Sequence, residues 1–163
     1  MTLSLPTRRG ARPQTRNGIP HQQTADNPSS ELYGAMRERF LALPGTVVGG
    51  SLISVPGAVA LFLPEASPCN CEAFFKGREF AHIHPEYDGS FHMILSESDC
   101  AHVLEQGWGE LHPLAAQSSI QPTVTLVYAP RDDEEIEIVM AIAEASYRYA
   151  VGVPVDTTGD SAP

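Results

Sequence analysis

From residue 31 onward the chain alternates between two hydrophobic periods. Leu32, Met36, Phe40 and Leu43 recur at spacings of three and four, which predicts a helix from Glu31 to Leu43, capped by Ser30 and stopped at Pro44-Gly45. Thr46 to Leu63 is instead β-branched and apolar. Val55-Pro56-Gly57-Ala58 sets Pro and Gly where a type II turn needs them, so two antiparallel strands are expected. Pro64 to Cys71 has the small and polar residues of a loop, and Glu72–Phe75 reads as a short strand. Glu79 to His84 has the period of a strand, with Phe80, His82 and His84 on one face and Ala81 and Ile83 on the other. Pro85 to Gly89 returns the chain as Ser90 to Leu95, so the two histidine strands form a hairpin.

Helical signals then come back. Ser96 followed by Asp99 is a capping pattern for a helix to about Gln106, ended by Gly107. Thr123 to Tyr128 reads as a strand. Asp132 with Glu135 caps a last helix, whose Ile136, Val139, Met140, Ala143, Tyr147 and Ala150 form one apolar stripe that faces a sheet. Hairpins stand where parallel strands would need crossovers. The fold class is therefore α+β: a single domain with a mainly antiparallel sheet of about 4–6 strands, packed by an N-terminal, a middle and a C-terminal helix.

Residues 1–30 are rich in Pro, Gln, Asn, Thr, Arg and Ser and nearly free of large apolar side chains, so they are expected to be a disordered basic arm. The domain is expected over 31–151, and residues 152–163 as a disordered tail. With 163 residues and 42% hydrophobic residues the chain has enough material for one core. The net charge is −10. Arg8, Arg9, Arg12 and Arg16 against Asp26 give the arm +3, which leaves −13 on the rest, a balance that repels a phosphate backbone and excludes a nucleic-acid partner. Three cysteines do not make a disulfide framework, and no apolar run is long enough to span a bilayer or serve as a signal peptide. The expectation is a cytoplasmic protein with no membrane partner.

The candidate chemistry is concentrated. Five of six histidines, His82, His84, His92, His102 and His112, fall within 31 residues that also hold Glu86, Asp88, Glu110 and the single Trp108. His82 and His84 share a strand face and the hairpin brings His92 across from them, so three imidazoles can reach one metal ion. The same pattern arises where imidazoles bond carbonyls or carboxylates, and no His-Glu-x-x-His or zinc-finger spacing accompanies it. His102 is expected on the exposed side of its helix. Gly107-Trp108-Gly109-Glu110-Leu111-His112-Pro113-Leu114 can line a pocket for a flat ligand, or Trp108 can be a core anchor. Cys69-Asn70-Cys71 lacks the spacing of a redox pair.

His82-Ile83-His84-Pro85, Asp88-Gly89-Ser90-Phe91-His92, Gly107-Trp108-Gly109-Glu110 with His112-Pro113-Leu114, Val127-Tyr128-Ala129-Pro130-Arg131-Asp132 and Ser146-Tyr147 occur here in one order. Together, over about Glu31 to Val151, they resemble the luciferase-like domain of fungal luciferases and of many small proteins. The resemblance implies oxidation of a hydroxylated, pyrone-like small molecule by O2 without a flavin, through a peroxide. On that reading the substrate is a small planar enol, O2 is the co-substrate, and no cofactor is expected. His84 and His92 are candidates for the general base. His82, His112 and Arg131 would steady the developing anion, and Asp88 and Glu110 would orient imidazoles. Tyr128 and Trp108 would flank the ligand. Arg131 has a rival role, pairing with Asp133 or Glu134 at the helix start. Two other functions remain open on the residues: a non-catalytic binding module of this fold, and a metal-dependent enzyme using His82, His84 and His92.

Overall fold

The structure is a computed structural model and describes residues 2–153. Strands β1 (Thr15–Arg16) and β2 (Gln22–Gln23) form a small hairpin, followed by helix α1 (Ser30–Leu41). Then come β3 (Val47–Gly50), β4 (Val59–Phe62), β5 (Glu79–Ile83), β6 (Phe91–Ile94), α2 (Glu97–Glu105), β7 (Gly109–Leu111), β8 (Val124–Val127) and α3 (Asp133–Val151). The six strands after α1 make one sheet in the order β3-β4-β5-β6-β8-β7, with every neighbouring pair antiparallel. This is the α+β architecture that the periodicity predicts.

The helix signals act as the capping chemistry requires. Ser96 Oγ accepts from the Asp99 N–H and Asp132 Oδ1 from the Glu135 N–H. At α1 the cap is Ser29, one residue earlier than the pattern suggests, because its hydroxyl accepts from the Leu32 N–H. Glu72–Phe75 is not a strand: Cys71–Ala73 forms a single 3-10 turn capped by Asn70. Conversely, Gly109–Leu111, part of the segment offered as a pocket wall and not counted among the expected strands, is the edge strand β7. A Cβ at Gly109 would lie 2.4 Å from the Leu126 carbonyl oxygen, so only glycine permits that pairing.

The two faces of the sheet do different work. Helices α1 and α3 pack against one face, where Met36, Phe40, Leu61, Ala81, Ile83, Phe91, Met93, Val127, Val139, Ile142 and Ala143 form the main core. Each large side chain fully buried there contributes about 1.5–3 kcal/mol. The Ser146 hydroxyl, inside that core, donates to the Ile94 carbonyl at 2.7 Å and ties α3 to β6. The opposite face carries Ala60, His82, His92, Leu126 and Glu110 in cross-strand register.

The N-terminal arm is ordered against the domain, which corrects the expectation of a disordered segment. Leu3 and Leu5 are buried, and so are Arg8, His21 and Gln23. The Arg8 N–H donates to the Gln106 carbonyl, the Trp108 indole N–H to the Pro6 carbonyl, and the Ala129 N–H to Gln23 Oε1. Asn27 Nδ2 donates to the Asp88 carbonyl. Hydrogen bonds to fixed partners, together with the burial of Leu3 and Leu5 in the core, offset the ordering entropy of this polar segment. The predicted tail from 154 onward lies outside the described residues. No helix among the described residues is long and apolar enough to cross a membrane.

Docking of the arm buries one of its arginines, so trypsin should spare the bond after Arg8 in the native protein, as read by mass spectrometry of a timed digest. Rapid release of residues 1–8 would show that the arm is free.

Candidate functional site

On the face away from the helices, His82 of β5 stands directly across from His92 of β6. His84 extends the same hairpin, its N–H donating to the Ser90 carbonyl at 2.9 Å. All three rings are nearly inaccessible to solvent. His82 Nε2 lies 3.2 Å from His92 Nδ1, and His84 Nε2 lies 3.1 Å from that same atom. Three ring nitrogens thus converge on one point.

Each far nitrogen is held by a partner. His82 Nδ1 donates to Glu79 Oε1 at 2.9 Å, a contact between residues three apart that a regular strand would place on opposite faces. A register shift opposite Leu61/Phe62 makes it possible. The bulge turns Phe80 toward the helices, where its ring lies 6.1 Å from that of Tyr147, and puts Glu79 on the histidine face. This corrects the expected alternation, which set Phe80 beside His82 and His84. Glu79 is fully buried and also accepts from the Ser51 hydroxyl and the Leu52 N–H, both at 2.7 Å. His84 Nδ1 sits 2.8 Å from Asp88 Oδ2 and 3.0 Å from Ser90 Oγ. The Ser90 hydroxyl is already committed to Asp88 Oδ1, so the hydrogen between ring and serine belongs to the ring. Asp88 Oδ2 lies 2.8 Å from His84 Nδ1 but receives no well-aligned hydrogen bond.

The third partner comes from the arm. His21 Nε2 donates to Glu110 Oε1 at 2.7 Å, and His21 Nδ1 lies 3.0 Å from His92 Nε2. Glu110 also accepts from Thr15 at 2.6 Å and from Tyr128 at 3.0 Å. Burial pushes the Glu110 carboxyl up, but the hydrogen bonds from His21, Thr15 and Tyr128 outweigh it and hold the group below its ordinary value. The chain of partners sets the tautomers. With a proton on His21 Nε2, its Nδ1 is a lone pair that takes the proton of His92 Nε2, which leaves His92 Nδ1 unprotonated. His112, half-buried beside His92, accepts the Leu114 N–H on Nδ1 at 3.1 Å and so keeps its proton on Nε2.

These imidazoles line one wall of a cavity of about 400 Å³. The remaining wall is largely apolar, with Ile19, Ile53, Val55, Phe75, Leu114 and Ile120. Ile19 and Ile53 are more than half exposed and mark its mouth. Burial, with repulsion from neighbouring imidazolium charge, lowers the pKa of His92 well below the ordinary value. Burial likewise lowers His82, against the opposing pull of Glu79, and brings His112 to about 4.

Residues 77–146 match the family model for the Luciferase domain. The luciferase of Armillaria ostoyae is 33% identical over 94% of this chain, and that of Armillaria mellea 32% identical over 94%. The luciferase of Neonothopanus nambi is 42% identical over 47% of the chain. Over most of its length the chain is similar to the Armillaria luciferases. It spans 64% of the length of each of the two Armillaria relatives. No solved structure matches it at a significant level.

Of the residues singled out in the sequence, the fold gathers His82, His84, His92 and His112 around the cavity, with Asp88 behind His84 and Glu110 reaching it through His21. Trp108, Tyr128 and Arg131 do not line it. Trp108 is buried in the main core. Tyr128, buried and pushed up to about 12 by burial and by Glu110, spends its hydroxyl on Glu110. Arg131 pairs with Glu135, one residue beyond the rivals the sequence offers, and through both its backbone N–H and its guanidinium. His102 is outside the site and accepts the Leu5 N–H. His21 falls in the arm, where composition predicts no role for it. Its only sequence signal is an aromatic, ionisable residue between Ile19-Pro20 and Gln22 in an otherwise polar segment.

The folded domain resists protonation of His112, whereas the unfolded chain takes up that proton near the ordinary value of 6.5, so stability is lost as pH falls from 6.5 to about 4. Urea midpoints measured in chelator-containing buffer should fall across that window. His112→Gln should make the decline shallower, and an unchanged slope would contradict the assignment.

Proposed function

We propose that the protein oxidises a small planar enol or pyrone-like molecule with O2 in the histidine-walled cavity. The observation that carries this reading is the convergence of unprotonated imidazole nitrogens on one wall of an otherwise apolar pocket, within a domain similar to those of fungal luciferases. A volume of about 400 Å³ suits a compact ring system, and the apolar wall strengthens every electrostatic contact inside.

The chemistry follows from charge. An enol reacts with oxygen far more readily once its hydroxyl proton is gone, and the lone pairs of His84 and His92 face the place where that hydroxyl would sit. Asp88 orients His84 through Ser90, while His21 and Glu110 orient His92. The anion carbon beside the ionised oxygen then bonds to O2. The enolate supplies two electrons, O2 is reduced to the peroxide level, and the proton returns to the outer peroxide oxygen. No external reductant is needed. The His112 Nε2–H is the donor available to steady the developing negative charge.

Oxygen uptake with hydroxylated pyrones and catechol-type compounds tests the proposal. The parent protein should consume O2 on addition of a suitable compound, and His84→Ala and His92→Ala should slow uptake by about 10²-fold or more. Rates equal to the parent's in both variants would remove the catalytic reading in favour of a binding module.

A further inference from the structure

We infer that His82 Nε2, His84 Nε2 and His92 Nδ1 form a three-histidine site for one divalent first-row transition-metal ion, open to the cavity at its fourth position. The count of ring protons decides what these nitrogens can hold. Glu79 claims the Nδ1 proton of His82, and Ser90, its hydroxyl held by Asp88, claims the Nδ1 proton of His84. His21, held by Glu110, claims the Nε2 proton of His92. A neutral imidazole has one proton, so the three remaining nitrogens are all acceptors, with His92 Nδ1 at 3.2 Å from His82 Nε2 and 3.1 Å from His84 Nε2 and no donor among them. A single proton at that point would bridge one pair and leave the third lone pair against it. A metal ion satisfies all three.

The spacing fits the same occupant. Bonds of 2.0–2.1 Å at tetrahedral angles hold ligand nitrogens roughly 3.3 Å apart, and the three donor atoms lie within 4.8 Å of one another. The backing is that of a metal centre too: ligating imidazoles give their far N–H to carboxylates, which fixes ring orientation and raises basicity. Glu79 and Asp88 are fully buried carboxylates, and a dication among neutral rings would offset their charge, including that of Asp88 Oδ2, which no aligned donor reaches. All-imidazole coordination suits zinc, iron, nickel or copper over magnesium or calcium. The alternative set of His21, His92 and His112 is weaker, because a shared proton already satisfies the pair between His21 Nδ1 and His92 Nε2.

The site stands apart from the oxidation reading; only the assignment of the fourth position to the substrate's ionised oxygen rests on that reading. There the ion would take over from the bare lone pairs, polarising the hydroxyl so that its proton leaves to solvent, while the electrons still pass from enolate to O2.

Equilibrium dialysis of chelator-stripped full-length protein against Zn2+ and Co2+ tests the site without substrate. One ion per chain is expected, with the visible absorption of tetrahedral, nitrogen-ligated Co2+ and a rise in melting temperature on loading. His82→Gln and His84→Gln should each weaken binding at least about 100-fold, while His112→Gln and His102→Gln leave it unchanged; circular dichroism checks that each variant folds. Substoichiometric binding by the parent protein overturns the site, as does retention of the ion by folded His82→Gln and His84→Gln or its loss in His112→Gln. Should the ion bind while pyrones provoke no oxygen uptake, the oxidation proposal fails and the metal site stands. Oxygen uptake without stoichiometric metal overturns the metal site and leaves the oxidation proposal standing.

Discussion

A neutral imidazole carries one proton for two nitrogens, and in this protein carboxylates reach every outward nitrogen first. Glu79 acts directly on His82, Asp88 acts on His84 through Ser90, and Glu110 acts on His92 through His21. The inward nitrogens of all three rings are therefore acceptors aimed at one point. Such an arrangement repels itself in isolation. It persists where the surrounding structure holds each ring in place, and it attracts whatever brings positive charge.

The sheet supplies that rigidity through its two unlike faces. One face is apolar and is sealed by α1 and α3, with Phe40 against Phe91 at 5.1 Å and Val139, Ile142 and Ala143 behind them. Its burial offsets the cost of placing two carboxylates and three imidazoles on the other face. The β5–β6 hairpin sets His82 opposite His92, and a bulge brings Glu79 around to the same side. The centre of the site, His82 and His92, thus sits on strands, whose side chains are fixed by ladder hydrogen bonds.

The arm completes what the sheet begins. It closes the cavity with Ile19, Pro20 and His21 and links the edge strand β7 to the central hairpin through Glu110. Without His21, nothing on the sheet would commit the outer nitrogen of His92. A segment that composition reads as solvent-exposed chain is in this way part of the site itself, and Gln23 and Asn27 anchor its far end to Ala129 and Asp88.

Local and periodic signals were enough for the helices, their Ser96 and Asp132 caps, the antiparallel hairpins and the shared face of His82, His84 and His92, because each of these depends on residues close in sequence. The bulge that exchanges Phe80 for Glu79, the pairing of β7 with β8, the removal of Trp108, Tyr128 and Arg131 from the cavity and the insertion of His21 were decided by contacts between distant segments. His21 and His92 are 71 positions apart, and His21 and Glu110 are 89 apart. No local pattern encodes which of several polar side chains finds a buried partner; that is settled only when the folded sheet leaves a lone pair to be satisfied.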